Sequence, residues 1–215
     1  IRGASRTDAG AHAKGQIVDF VTDATHPVTT FVKALNWHLP EDIRIRGGCE
    51  TTPSFNARKD AIARKYRYTI LNSRWPSALL RRSAHWVRKS LDVNKMQEAA
   101  RYLVGTHDFS ALIAKLPPDR SPIRTVNRWT VEAEYETIYI DSEASGFLPH
   151  QIRCTNGVLV DIGLGRAPID TLESVLNGTL KELKNRPLLP AKGLTLVRVI
   201  YKDPLFMNED TDETQ

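Results

Sequence analysis

Between positions 65 and 71 the chain alternates between two chemistries, and this limits the folds open to it. Tyr66, Tyr68 and Ile70 occupy one side of an extended backbone, and Lys65, Arg67 and Thr69 the other. Such a segment needs a sheet that is packed on one face and polar on the other. Taken alone, Tyr66 and Tyr68 read as core aromatics of that strand. Residues 129–135 and 137–142 repeat the period and are expected to pair antiparallel across a turn near Glu136. A closing strand is expected within residues 190–201. Met96, Ala99, Ala100 and Leu103 recur at helical spacing over residues 93–104, with Asp92 as N-cap and Gly105 at the end. Apolar residues at 152, 158, 159, 160, 162 and 164 mark a second helix, buried over much of its surface. Nearer the start, a helix through Val32, Leu35 and Asn36 is expected, capped by Thr29 or Thr30 and stopped at Leu39-Pro40. Strands at 16–21 and 43–46 flank it. The mixture is α+β, with antiparallel strands and helices on one face.

The 215 residues, 41% hydrophobic, allow one large or two small domains with a substantial core. Charge is spread unevenly. Ten Lys and Arg lie between Arg58 and Lys89 against one acid, Asp60, whereas the stretch from Asp203 holds five acids and no base. A basic block interleaved with Tyr66, Tyr68, Trp75 and Trp86 points to a polyanionic partner, with nucleic acid favoured over a merely solvated face. Cys49 and Cys154 are too far apart in sequence to suggest a zinc motif or a disulfide framework. No apolar run approaches membrane-spanning length, so no membrane partner is expected. Residues 117–122 read as an exposed loop.

The functional signal lies at residues 5–13, Ser5-Arg6-Thr7-Asp8-Ala9-Gly10-Ala11-His12-Ala13. By composition alone this is a turn, since Asp and Gly are ordinary turn residues. Its residue order closely resembles the signature of the TruA family of tRNA pseudouridine synthases. Three more blocks resemble the same family in the same order. They are Phe55-x-Ala57-Arg58 followed by Ala63-Arg64-x-Tyr66-x-Tyr68, Gly105-x-His107-Asp108-Phe109-Ser110, and Phe147-Leu148-x-His150-x-Ile152-Arg153. Pro190-Ala191-x-Gly193-Leu194-x-Leu196 matches its closing strand, so the likeness runs from residue 3 to about 203. Gln151 and Cys154 stand where the family usually carries Met and Asn or Lys.

The resemblance implies two ferredoxin-like halves sharing one antiparallel sheet, with helices on one face and a basic cleft between them. Residues 1–56 would form the N-terminal half and carry the Asp loop, 57–205 the C-terminal half, and 206–215 a disordered acidic tail. Relative to the family, the N-terminal half would lack its first strand and helix. The implied activity is isomerisation of uridine to pseudouridine in the tRNA anticodon stem-loop, at tRNA positions 38–40. It would be carried out by a homodimer, without metal or other cofactor, in the cytoplasm or an organelle. Asp8 is the implied catalytic carboxylate, Arg153 its ion-pair partner, Tyr66 a contact to the target nucleotide, and Arg6 a residue that holds that nucleotide flipped out. Arg58, Arg64, Lys65 and Arg67 are expected on the RNA backbone. His12 is given no proton-transfer role, and His107 is read as structural or as an RNA-edge residue.

Breaking the glycosidic bond, turning the base and rejoining it through carbon requires a carboxylate near sugar and base. It could attack ribose C1′ or the base, or stabilise or deprotonate an intermediate. A neighbouring Arg153 would favour its charged form and fix its orientation. Extracting the base costs a few kcal/mol, which stacking on Tyr66 would offset by about 1–3 kcal/mol. Two rival readings are a truncated, non-catalytic RNA-binding paralogue and a glycoside or nucleoside hydrolase. The hydrolase would need a second motif carboxylate.

Overall fold

A computed structural model describes residues 1–113, 121–180, 183 and 187–206. Its strands are β1 (Arg2–Gly3), β2 (His12–Ala13), β3 (Val18–Asp19), β4 (Ala61–Asn72), β5 (His85–Val87), β6 (Gly105–Asp108), β7 (Ile123–Glu134), β8 (Thr137–Ala144) and β9 (Leu194–Tyr201). Its α-helices are α1 (Val28–His38), α2 (Val93–Arg101), α3 (Gln151–Gly163) and α4 (Thr171–Leu176). The fold is α+β. Seven strands form one sheet in the order β2-β9-β4-β8-β7-β6, with β5 also paired to β4, while β1 and β3 make a separate two-stranded ribbon. Among the described strands only β2 with β9 and β4 with β5 are parallel.

The alternating segment at 65–71 lies at the centre of this sheet. Tyr66, Tyr68 and Ile70 of β4 are buried while Lys65, Arg67 and Thr69 are half-exposed. The register places Tyr68 beside Ile140 of β8 and Leu194 of β9, and Val131 of β7 beside Ile140. This continuous apolar face shares one core with Met96, Ala99 and Ala100 of α2 and with Leu159 and Ile162 of α3. Trp129 Nε1 donates to Asn156 Oδ1 on α3 at 3.1 Å, so even the indole nitrogen in this core is satisfied. α3 is buried at most of its positions, as its apolar content requires. α2 begins where its cap predicts, with Asp92 accepting from the Lys95 N–H at 3.1 Å.

Three expectations near the start of the chain need correction. The strand expected over 16–21 shrinks to β3, and Val21 is 83% exposed. No strand forms at 43–46. There the Asn36 side chain takes the place of a partner strand, donating to the Ile45 carbonyl and accepting from its N–H. α1 starts after Pro27 with no side-chain cap, so neither Thr29 nor Thr30 serves as one, and none of its residues is buried. Alternation and spacing set which side chains share a face; they do not supply a second surface to bury it against. No helix among the described residues is long and apolar enough to cross a membrane. Most of the loop expected at 117–122 and the acidic tail beyond 206 lie outside the described residues.

Candidate active site

Asp8 opens a tight turn closed by the Ala11 N–H, which donates to the Asp8 carbonyl at 2.9 Å. Gly10 within it has φ +83°, and the nearest atom to an added Cβ would be 3.8 Å away. The backbone angle, not crowding, therefore calls for glycine here. The arm leading in is anchored by its neighbours. Ala4 is buried and its N–H donates to the Ile17 carbonyl at 2.8 Å. The Gln16 side chain then acts as a strand partner for Ser5, accepting from its N–H at 3.2 Å and donating to its carbonyl at 2.8 Å. The arm leading out is held as β2 on the edge of β9, and the Lys14 and Gly15 N–H groups both donate to the Leu196 carbonyl. Asp8 is thus presented on a short span between two fixed arms.

Arg153, in the first turn of α3, reaches Asp8 from a position 145 residues away. Its Nη1 donates to Asp8 Oδ2 at 2.6 Å and its Nε to the Leu189 carbonyl at 2.7 Å. The Arg153 side chain is 12% exposed and that of Asp8 30%, so the guanidinium is largely covered while the carboxylate keeps an opening to solvent. The short distance and charge on both partners make this a charge-assisted bond. His150 approaches the other oxygen, with Nε2 3.5 Å from Asp8 Oδ1.

Tyr66 lies close by but is only 4% exposed. Its hydroxyl and Ser5 Oγ are 2.7 Å apart, and its ring meets Phe147 edge-on with centroids 5.5 Å apart. Burial pushes the phenol pKa up. The Ser5 bond and the Arg64 charge oppose this, and the Asp8 charge reinforces it. The β4–β9 ladder shifts register between Lys65 and Tyr66, a local irregularity of the kind that re-aims side chains. Arg6 is exposed beside the turn.

The four cations expected on an RNA backbone divide sharply. Arg58 is exposed and Lys65 half-buried. Arg67 makes a two-pronged pair with Asp141, both bonds at 2.8 Å. Arg64 is not a surface cation, being 8% exposed. Its guanidinium donates to the carbonyls of Arg58 (2.5 Å), Ser145 (2.8 Å), Ala61 (2.9 Å) and Ala4 (3.2 Å). Burial lowers its pKa, and it serves as a clip joining the Asp8 arm, the start of β4 and the turn after β8. Its place in a basic run gave no hint of this role.

His12 Nε2 is 2.8 Å from the Arg82 carbonyl and Lys192 Nζ donates to the Arg81 carbonyl at 3.0 Å, so the loop between β4 and β5 is tied to the site's rim. That loop exposes Arg74, Arg81 and Arg82, and the segment after β5 exposes Arg88 and Lys89. His107 bonds the Val104 carbonyl at 3.0 Å, a local tether at the end of the α2 turn. Among the described residues no group of three His, Cys, Asp or Glu is placed to hold a metal ion. Sequence reasoning gave no role to Gln16, nor to Ser5 and His150, although Ser5 stands in the Asp8 stretch and His150 in the quoted motif three positions before Arg153.

The sequence profile of the family described as tRNA pseudouridine synthase matches residues 99–202. The chain is 39% identical to a protein of Acetivibrio thermocellus named tRNA pseudouridine synthase A, over 93% of this chain and 81% of that one. Proteins of the same name from Moorella thermoacetica and Shouchella clausii are 42% and 38% identical. These matches cover 92% and 95% of this chain and 80% and 78% of the relatives.

Proposed function

The chain belongs to the TruA family of tRNA pseudouridine synthases, and on that premise we propose that it isomerises uridines of the tRNA anticodon stem-loop, at positions 38–40, with Asp8 as the catalytic carboxylate. The observation that carries the assignment of Asp8 is its 2.6 Å bond to Arg153 across 145 residues of sequence. A half-exposed carboxylate would be free to rotate in water. Fixed by a guanidinium that is itself tied to Leu189, it offers one defined oxygen to a nucleotide entering the opening.

The reaction breaks the N1–C1′ bond and forms C5–C1′. The hydrogen on C5 leaves to solvent, and N1 gains a proton. The base must first leave its stack. Arg6, exposed two residues before Asp8, takes the space the nucleotide vacates. Tyr66 lies close enough to Asp8 for the carboxylate charge to act on its phenol. Its edge-on contact with Phe147 leaves it little exposed, and we assign it to the target base on its place in the family motif beside Asp8. The exposed cations of the β4–β5 loop and of the segment just after β5, with Arg58, supply the phosphate contacts; Arg64 supplies none. A homodimer is part of this reading, since a stem-loop held over one such opening leaves the rest of the tRNA to a second surface.

Relatives of 38–42% identity that carry the synthase name do not favour the non-catalytic paralogue. The test is to treat unmodified tRNA with the protein and map carbodiimide adducts of pseudouridine by primer extension. Adducts at positions 38–40 are expected. Adducts confined to another arm of the tRNA would overturn the anticodon assignment.

A further inference from the structure

We infer that His150 is a positioning residue for Asp8, holding the carboxylate oxygen that Arg153 leaves untouched; the inference rests on Asp8 being the catalytic carboxylate. Two independent observations meet at this residue. First, its Nε2 lies 3.5 Å from Asp8 Oδ1, whereas Arg153 bonds Oδ2. At 3.5 Å the two atoms are an ion-pair distance apart, short of a formed hydrogen bond, and such a contact can tighten when substrate closes a site. Second, His150 has φ +62° and ψ 0°, the left-handed conformation, and is one of two non-glycine residues with positive φ among those described. The other, Tyr135, is in the tight turn between β7 and β8 and is 99% exposed.

Capping α3 does not explain the strained backbone. His150 occupies the N-cap position but its side chain bonds none of the free N–H groups of the helix. Gly or Asn would serve that position with less strain. Backbone strain at a residue that contacts a functional group is a recurrent mark of a constrained site. Here the left-handed turn at the start of α3 sets the direction from which the ring approaches Asp8, just as the first helical turn sets that of Arg153. One short stretch of chain, residues 150–153, thereby approaches both carboxylate oxygens, bonding one through Arg153 and limiting rotation about Cβ–Cγ by the placement of His150 beside the other.

The ring is 40% exposed, so substitutions here leave the core intact. His150→Gly should raise the melting temperature by relieving the backbone while lowering the single-turnover rate at saturating tRNA by about 10- to 100-fold. Its tRNA dissociation constant should stay within about twofold of the wild type. His150→Asn, which tolerates the same backbone and keeps an N–H donor, should recover part of the rate. A residue needed only for folding would not give a more stable and slower enzyme. An unchanged rate in His150→Gly, with Asp8→Asn inactive, overturns the inference and leaves the assignment of Asp8 standing. Full activity in Asp8→Asn overturns the assignment itself. A rate loss matched by an equal loss of tRNA affinity would make His150 an RNA contact and also overturn the inference.

Discussion

At the scale of single residues, the candidate site consists of a few polar groups, each fixed by a named partner. Arg153 illustrates how one side chain couples two segments, since its guanidinium serves both Asp8 and the Leu189 carbonyl. Arg153→Met should lower turnover at least 100-fold, because a freely rotating carboxylate loses its orientation. It should also cost about 1–3 kcal/mol in urea unfolding, because the Leu189 carbonyl loses its donor. Turnover near the wild-type value would contradict the pairing's role. Tyr66 gives a pH prediction of defined sign. Burial raises its pKa, so the folded chain holds the phenol proton more tightly than the unfolded chain does. That contribution to stability is complete below about pH 10 and is lost as pH rises through the folded value. Tyr68, also raised by burial, behaves likewise. Tyr66→Phe should therefore make the fall in melting temperature above about pH 10 shallower without abolishing it. An unaltered alkaline limb would contradict this.

At the scale of elements, the sequence was legible wherever a periodic run met a surface able to bury it. β4, the β7–β8 hairpin, α2 with its Asp92 cap, α3 and β9 all stand where alternation or helical spacing placed them. β1, β2, β5 and β6 run two to four residues, too short for a period to register. The alternation at 43–46 was genuine, but the Asn36 amide took up the backbone groups a strand would have used. The site was legible differently. Nothing in spacing alone connects Asp8 with Arg153, and only the order of motif residues suggested their pairing. The clip formed by Arg64 depends on how chain segments cross in space, which no local pattern encodes, whereas His150 stood in the 147–153 motif without a role attached to it. The Asp8 turn offers a test at this scale. Gly10→Ala forces a side chain into φ +83°, at a cost of about 1–2 kcal/mol. The turn should relax by displacing Asp8, lowering turnover about tenfold or more with tRNA affinity retained. Wild-type kinetics in a destabilised Gly10→Ala protein would show that the turn's geometry does not govern the site.

At the scale of the whole molecule, the polar and charged side of the sheet and the basic rim around Asp8 have distinct tasks. Of the ten cations between residues 58 and 89, Arg64 is buried and Arg67 is paired with Asp141, so a count of charge overstates what RNA can meet. The exposed members at 81, 82 and 88 are the ones to alter. The tether from His12 ends on the backbone carbonyl of Arg82 and so survives a change of its side chain. Converting Arg81, Arg82 and Arg88 to Glu should reduce the salt slope of tRNA binding by about two to three units, at roughly 0.7–0.9 for each phosphate no longer neutralised. A slope that stays at the wild-type value would make this rim a solvated face.

The most direct measurement is tritium release from tRNA carrying 5-[³H]uridine, comparing the wild type with Asp8→Asn at matched tRNA occupancy. The C5 hydrogen must leave when carbon replaces nitrogen at C1′, so its appearance in water reports the isomerisation itself. Release by the wild type and none by Asp8→Asn is expected, with both proteins binding tRNA about equally. Release by Asp8→Asn at the wild-type rate would rule out Asp8 as the catalytic carboxylate.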